Sequence, residues 1–154
     1  ISKGKLSGVD LSGADLSGGN MKGTDFTGAK LIGVDLSRAD LTESILENAQ
    51  IKNSFLTGAD IRTANLKNAD LEGSDLSGAK ITKTNFHQAN LKAANLHRAD
   101  LEHADVSQAN LSQADLSGAK LADANFSNAI LTDADLSGAD QTDTNFSNAK
   151  GFKK

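Results

Sequence analysis

Large apolar residues recur at every fifth position of this chain, without an insertion or deletion from Ile1 to Phe146. The stretch from Leu76 to Ala94 shows the pattern, since it divides into the units LSGAK, ITKTN, FHQAN and LKAA. We call the apolar position of each unit its centre, and only Gln141 is a polar centre. The residue two places before each centre is always small. Such regular self-similarity is typical of repeat architectures.

A period of five fits neither regular secondary structure. An α-helix repeats its apolar face every 3.6 residues, and a strand alternates its side chains with a period of two. If the chain turned a corner every five residues, each centre and each small residue would point toward the interior of a coil. The small residues are needed because the centres already fill a narrow interior, and interiors tolerate little overpacking. We therefore predict a tight solenoid whose coils stack like parallel strands, roughly 4.8 Å apart.

The phenylalanine positions predict four sides for each coil. Phenylalanine occupies a centre at only four places, separated by multiples of twenty residues: Phe26, Phe86, Phe126 and Phe146. The word Leu-Ser-Gly-Ala that starts at Leu76 also returns at multiples of twenty. We expect the four rings to form one column inside one face and to act as structural core, because aromatic rings fill more volume than leucine.

The unit Ala-Asp/Asn-Leu followed by two further residues, as in Ala14-Asp15-Leu16-Ser17-Gly18, resembles the pentapeptide repeat protein family. The resemblance covers essentially the whole chain. It implies an all-β fold, a right-handed quadrilateral parallel β-helix, with about 7 coils of four pentapeptides each for this length. We expect one β-helix domain over residues 1–150 and a C-terminal tail over residues 151–154. The family implies little about function, since some members mimic DNA and inhibit gyrase, others are scaffolds, and many have no assigned role.

Composition adds few constraints on function. The chain carries 16 Lys and Arg against 20 Asp and Glu, a net charge of −4, and it contains no Cys. The absence of cysteine leaves the redox compartment open. Without an apolar run of membrane length or a leader, we expect a soluble form and no membrane partner. A cytoplasmic location is favoured, and export with removal of a leader stays open. Basic patches with interleaved aromatic residues are missing, so we expect no direct nucleic-acid binding.

No residue pattern indicates catalysis, a metal site or a cofactor. Serine residues recur as turn elements without a neighbouring base. The histidines His87, His97 and His103 occupy outward positions, where we expect solvated surface residues rather than metal ligands. A filled solenoid also offers no pocket. We therefore predict that the protein is not an enzyme and has no catalytic, metal-binding or cofactor-binding residue.

One outward column of the predicted coil is acidic. The position before the centre on this side holds Asp15, Asp35, Phe55, Asp75, Asn95, Asp115 and Asp135. Two interpretations are open. Short Asp and Asn side chains hydrogen-bond the backbone at corners, or the column imitates the phosphates of a DNA duplex. The net charge of only −4 argues against strong mimicry.

The region 41–58 departs most from the repeat, because Ile45 and Phe55 stand at the outward position where Asp or Asn is usual. Clustered exposed apolar residues mark interfaces, whereas scattered ones are normal. Ile32 and Ile130 are also expected to point outward, and these four residues do not share one column. Ile45 and Phe55 should lie on opposite sides of the coil.

The sequence therefore favours a non-enzymatic structural or protein-binding module of unidentified partner. Its candidate interaction surface comprises Ile45, Phe55 and the five aspartates of the acidic column, Asp15, Asp35, Asp75, Asp115 and Asp135. The alternative is a DNA mimic that binds and inhibits or protects a type II topoisomerase, gyrase. Solenoid ends expose apolar centres and unpaired strand edges, which proteins cover. Loose terminal residues, an end-to-end homodimer and a longer chain are three ways to cover them.

Overall fold

The chain closes one coil every twenty residues. In the computed structural model, which describes residues 1–151, the residue before each centre forms a parallel bridge with the residue twenty positions later, from Lys5 with Asp25 to Ile130 with Lys150. The bridges run in four ladders, one on each side of the coil. Over residues 1–151 there is no helix, and no strand is longer than one bridging residue. Four pentapeptides thus make one coil, as the phenylalanine spacing predicts.

Backbone hydrogen bonds join consecutive coils along each ladder. On one side, the Leu76 N–H donates to the Asn95 carbonyl at 2.7 Å, and the Asn95 N–H donates to the Ser74 carbonyl at 2.9 Å. The same two bonds recur around the coil. Buried backbone polar groups must find partners. A coil therefore satisfies its own backbone only when another coil stacks on it.

Each corner of the coil is a tight turn. The Ala79 N–H donates to the Leu76 carbonyl three residues earlier at 3.0 Å, and Gly78 between them has φ 61°. A positive φ at the third residue is the requirement of a type II turn, which glycine meets without steric cost. Many corners carry other residues there, among them Thr63 with φ 59°.

Thr63 therefore carries a strained backbone. A left-handed conformation costs an L-residue roughly 1–2 kcal/mol and is unusual for a β-branched one. We expect Thr63→Gly to raise the free energy of unfolding by about 1 kcal/mol, because glycine removes the strain but adds entropy to the unfolded chain. Urea unfolding measures the change. Gly58→Thr, the reverse substitution at another corner, is expected to lower the same quantity. A stability loss on Thr63→Gly would contradict the strain.

The centres and small residues fill the interior. Every centre from Met21 to Leu131 is at most 1% exposed. The alanines two places before these centres are buried as well. Buried hydroxyl groups are hydrogen-bonded: Ser74 Oγ, for example, donates to the carbonyl of Ile51, in the preceding coil, at 2.6 Å. Over residues 1–151, no buried side-chain polar atom is left without a partner.

The four phenylalanine centres lie on the same side of the coil, each directly after a member of one bridge ladder. Phe26, Phe86 and Phe126 are completely buried, and Phe146 packs partly buried against the core. The rings of Phe126 and Phe146, which belong to consecutive coils, have centroids 5.4 Å apart and planes inclined by 34°. The phenylalanine column thus has its four members in line, with leucine or valine centres between all but the last two rings.

The first and last coils are less enclosed. Leu6 and Leu136 are only partly buried, Ile1 is 61% exposed, and the polar centre Gln141 is exposed. Of the predicted tail over residues 151–154, Gly151 is described and exposed, and residues 152–154 lie outside the described residues. The described part of the chain contains no helix with the length and apolar character needed to cross a membrane.

Candidate functional site

Because the interior is packed, the side chains that could perform chemistry lie on the four outer faces. One surface depression of about 490 Å³ is lined by charged residues. Its charges compensate each other, since Arg62 pairs with Asp60 at 2.6 Å and Lys22 pairs with Glu43 at 3.2 Å. Over residues 1–151, no group of three or more His, Asp or Glu side chains is placed to hold a metal ion. The site must therefore be sought on a face.

One face carries the acidic column as a single continuous ladder. Parallel bridges connect its members in sequence, so that each stacks on the next coil's equivalent: Asp15, Asp35, Phe55, Asp75, Asn95, Asp115 and Asp135. We call this set the acidic ladder. At strand spacing its members are roughly 4.8 Å apart. The structure thus brings together in one line residues that are twenty positions apart in the sequence.

Corner hydrogen bonds occupy one oxygen of these side chains. Oδ1 of Asp35 accepts the Ser37 N–H at 2.9 Å, and Oδ1 of Asp75 accepts the Ser77 N–H at 2.9 Å. Asn95 accepts the N–H two residues later in the same way, at 3.0 Å. An amide therefore serves the corner as well as a carboxylate does. The negative charges of the acidic ladder are not required by the turns.

Among residues 1–151, no ion pair neutralises the acidic ladder. Ion pairs form on other faces, for example from Lys52 to Asp70 at 3.1 Å and to Glu72 at 3.2 Å. Within residues 1–151, none of the ladder's five carboxylates has a Lys, Arg or His nitrogen within the 4.0 Å of an ion pair. Like charges at strand spacing repel each other. Among the described residues the ladder is thus an anionic stripe without ion pairs, interrupted by the uncharged Phe55 and Asn95.

Hydrogen bonding lowers the pKa of several corner carboxylates. Donation from the hydroxyl and backbone N–H of Ser17 holds the pKa of Asp15 below its ordinary value. The backbone N–H and hydroxyl of Ser137 act in the same direction on the pKa of Asp135. Both bonds favour the ionised form of the carboxyl. They couple folding to pH.

We therefore expect the protein to lose stability in acid. A carboxyl whose folded pKa lies below the unfolded value of about 3.9 adds stability above that pH and loses it as the pH falls through the folded value. Urea midpoints should be level above about pH 5 and fall below about pH 4. In the double variant Asp15→Asn, Asp135→Asn the fall should be shallower, because asparagine accepts the same N–H without titrating. An identical fall in both proteins would show that other groups control it.

The exposed apolar residues do not form one patch. Phe55 is 53% exposed and lies in the acidic ladder between Asp35 and Asp75. Ile45 is 41% exposed and lies in the ladder on the opposite side of the coil, next to Asp25. Ile32 is 39% exposed and Ile130 is 36% exposed, and neither lies in the acidic ladder or in the ladder of Ile45. Phe55 is therefore the apolar residue that the structure joins to the acidic ladder, and Ile45 is separate from it.

Two surface histidines each contact a serine of the following coil. His87 and His97 are half-buried, and each Nδ1 lies 2.8 Å from a serine Oγ of the following coil. For His97 the partner is Ser117, whose hydroxyl donates to Asp115 Oδ1 at 2.5 Å. Having one proton, that hydroxyl accepts from His97, which places a proton on Nδ1. No local motif indicates these contacts, because each serine stands twenty residues after its histidine.

Comparisons with known proteins agree with this geometry. The family model of pentapeptide repeats matches with 8 copies over residues 5–43, 44–82, 69–108 and 109–148. The solved structure of HetL, a pentapeptide repeat protein involved in heterocyst differentiation regulation from the cyanobacterium Nostoc sp. strain PCC 7120, is 35% identical. It aligns with a TM-score of 0.55 over 97% of this chain and 70% of HetL.

A second solved structure is a trypsin-treated variant of QnrB1, a plasmid-mediated fluoroquinolone resistance protein. It is 25% identical and aligns with a TM-score of 0.52 over 91% of this chain and 86% of QnrB1. A search among curated proteins gave no match. The family model spans nearly the whole chain, and its five-residue unit is the unit that turns each corner of the coil. The chain belongs to the pentapeptide repeat family.

Proposed function

We propose that this chain is a non-enzymatic, protein-binding structural module, a right-handed β-helix of about 7 coils that meets its partner through an outer face. One observation carries the proposal: the interior is filled, and the strongest departure from the repeat, the exposed Phe55, faces outward. Exposed aromatic side chains are enriched at interfaces. A partner protein can therefore contact the side chains on the outer faces but none of those in the packed interior.

The stacking of coils suits such a role. Inter-coil hydrogen bonds fix each bridging residue against its equivalents twenty positions away, so a face presents its side chains in a fixed row. A preorganised surface loses little conformational entropy on binding. We propose that residues 1–150 act as one domain, and that a soluble form is the active one. End-to-end pairing of two copies is an additional proposal, which sedimentation velocity over a range of concentrations tests.

Photo-crosslinking tests the binding proposal. Three single variants carry benzoylphenylalanine: one at position 55, one at position 45 on the opposite face, and one at position 112 as a control. Each variant is expressed and irradiated in cells of the source organism. A discrete adduct of defined mass from position 55 or 45, and none from Ser112, is the expected result. If neither position 55 nor position 45 gives a discrete protein adduct, the proposed binding surface is contradicted.

The alternative function is DNA mimicry toward a type II topoisomerase, and the uncompensated acidic ladder favours it. The net charge of −4 opposes it. So does the coil register, which no inserted loop interrupts between Lys5 and Lys150. Supercoiling by gyrase, measured across a salt series, separates the two functions. Mimicry requires inhibition at low micromolar protein that disappears in a variant with Asp35, Asp75 and Asp115 changed to lysine. A protein-binding module unrelated to gyrase gives no inhibition at any salt concentration.

A further inference from the structure

We propose that Phe55, with Asp35 and Asp75 on either side of it, receives an arginine side chain of the partner protein. This inference rests on the proposed protein-binding function and assigns a chemistry to its contact. The three residues are consecutive members of the acidic ladder, in three successive coils. An exposed aromatic ring between two carboxylates calls for a ligand group that is both cationic and flat.

The aromatic ring supplies the first half of the recognition. Phe55 is 53% exposed, so its ring is available from solvent. It also forgoes a corner hydrogen bond, because a phenyl ring cannot accept the N–H of Thr57 as the Asp and Asn side chains elsewhere in the ladder accept theirs. Because such a hydrogen bond contributes to stability, phenylalanine at position 55 gives up part of the stability of this corner. A guanidinium over the ring face is attracted by the ring's quadrupole.

The carboxylates supply the second half. Oδ1 of Asp35 and Oδ1 of Asp75 are held by the N–H groups of Ser37 and Ser77, which fixes both side chains. Within residues 1–151, Oδ2 of neither group accepts a protein hydrogen bond. The two carboxylates flank the ring at a separation of about 9.6 Å, twice the strand spacing of about 4.8 Å. A guanidinium stacked on the ring can donate to the carboxylate on one side or the other at about 2.8 Å per bond, and its planar shape suits both groups as a lysine ammonium does not.

The protein's own arginine leaves this position open. The aliphatic part of the Arg38 side chain lies against the corner at Gly58. Its Cγ is 3.7 Å from the position that a Cβ atom at residue 58 would occupy. Arg38 forms no ion pair with Asp35 or Asp75 among the described residues. The corner beside Asp75 is glycine as well, and Gly78 has empty space where a side chain would start. The open corner at Gly78 thus leaves a partner room to approach Phe55 from the side of Asp75.

Charge complementarity decides among the occupants. The acidic ladder is uncompensated, so it repels acidic segments and a second copy of the same face. An apolar partner surface would have to bury both carboxylates without a counter-charge, at high cost. A partner segment with an exposed arginine buries the ring and pairs with a flanking carboxylate at once. The partner is therefore a protein that presents a basic segment.

Nuclear magnetic resonance titration tests the inference with three probes: acetyl-Gly-Arg-Gly-amide and the same peptide with lysine or citrulline. The arginine peptide is expected to shift the Phe55 ring signals and the amides of residues 35, 55 and 75. Citrulline, which has the shape without the charge, should leave them unchanged. Phe55→Asn and the double variant Asp35→Asn, Asp75→Asn should each weaken binding at least about five-fold.

The variants are chosen to keep the fold. Asparagine at position 55 restores the corner hydrogen bond, and Asn95 already serves the same ladder, so unfolding midpoints should not fall. Ile45→Asn on the opposite face is the matched control and should bind like the parent. Equal binding by Phe55→Asn would overturn the inference. Shifts spread evenly over Asp115 and Asp135 would overturn it too, since they indicate only long-range attraction.

Crosslinking and titration together distinguish the two proposals. A protein adduct from position 55 without any arginine-specific shift leaves the protein-binding module standing and removes the arginine contact. Arginine-specific shifts without an adduct from any face remove the module and leave an isolated affinity for guanidinium groups. Neither result can be mistaken for the other.

Discussion

Phe86→Ala is expected to lower the free energy of unfolding by about 3–5 kcal/mol. The Phe86 ring is completely buried, as are Leu66 and Val106, the equivalent centres of the coils before and after it. Removing the ring leaves a cavity that these neighbours cannot fill, because hydrogen bonds on four ladders hold the coils at a fixed spacing. Cavities that cannot collapse are the costly ones.

Urea unfolding followed by circular dichroism measures this loss. Phe146→Ala is the matched control, since Phe146 belongs to the same column but is only partly buried. Its loss should be clearly smaller. Equal losses at the two positions would mean that the column does not stabilise the protein through enclosure.

Deleting residues 76–95 is expected to leave a folded, shorter solenoid, whereas deleting Ser77 alone should abolish the cooperative transition. The long deletion joins Asp75 to Leu96 and removes one complete coil, so every later residue stays on its own ladder. The single deletion moves every later centre by one position, away from the interior. Misplacing the four centres of even one coil forfeits roughly 6–12 kcal/mol of apolar burial.

Thermal unfolding and limited proteolysis of the two deletion variants measure the difference. Deleting residues 76–80 is an informative control, because it preserves the period of five but moves each later residue to the neighbouring face. That variant should fold less stably than the variant without residues 76–95, since it breaks the phenylalanine column and the acidic ladder. If the Ser77 deletion were as stable as the long deletion, the chain would not depend on its five-residue register.

Much of the fold was predictable because the repeat acts at short range. A centre every fifth residue and a small residue two places before it leave one way to bury both, and the spacing of Phe26, Phe86, Phe126 and Phe146 indicates four sides. The acidic ladder could be assembled by counting in steps of twenty. The outward position of Phe55 followed from the same register, and its 53% exposure agrees.

Contacts between coils were less predictable, because they depend on side-chain direction as well as register. The chain of hydrogen bonds from His97 through Ser117 to Asp115 joins three residues of two coils, and no local motif marks it. A count of charges gives −4 but does not say which carboxylates find a cation. Only the geometry shows Lys52 between Asp70 and Glu72, while the acidic ladder forms no ion pair with any described residue.

By itself the sequence determined the five-residue corner, the inward centres and the ladder to which each residue belongs, since a strict period leaves a single register that buries every centre. The tertiary structure decided which of those neighbours interact. It gave Asp35 and Asp75 fixed carboxylates without an ion pair among the described residues, set Phe55 between them, and left the corner at Gly78 open. These properties arise only when coils stack, because each belongs to the space between residues twenty positions apart.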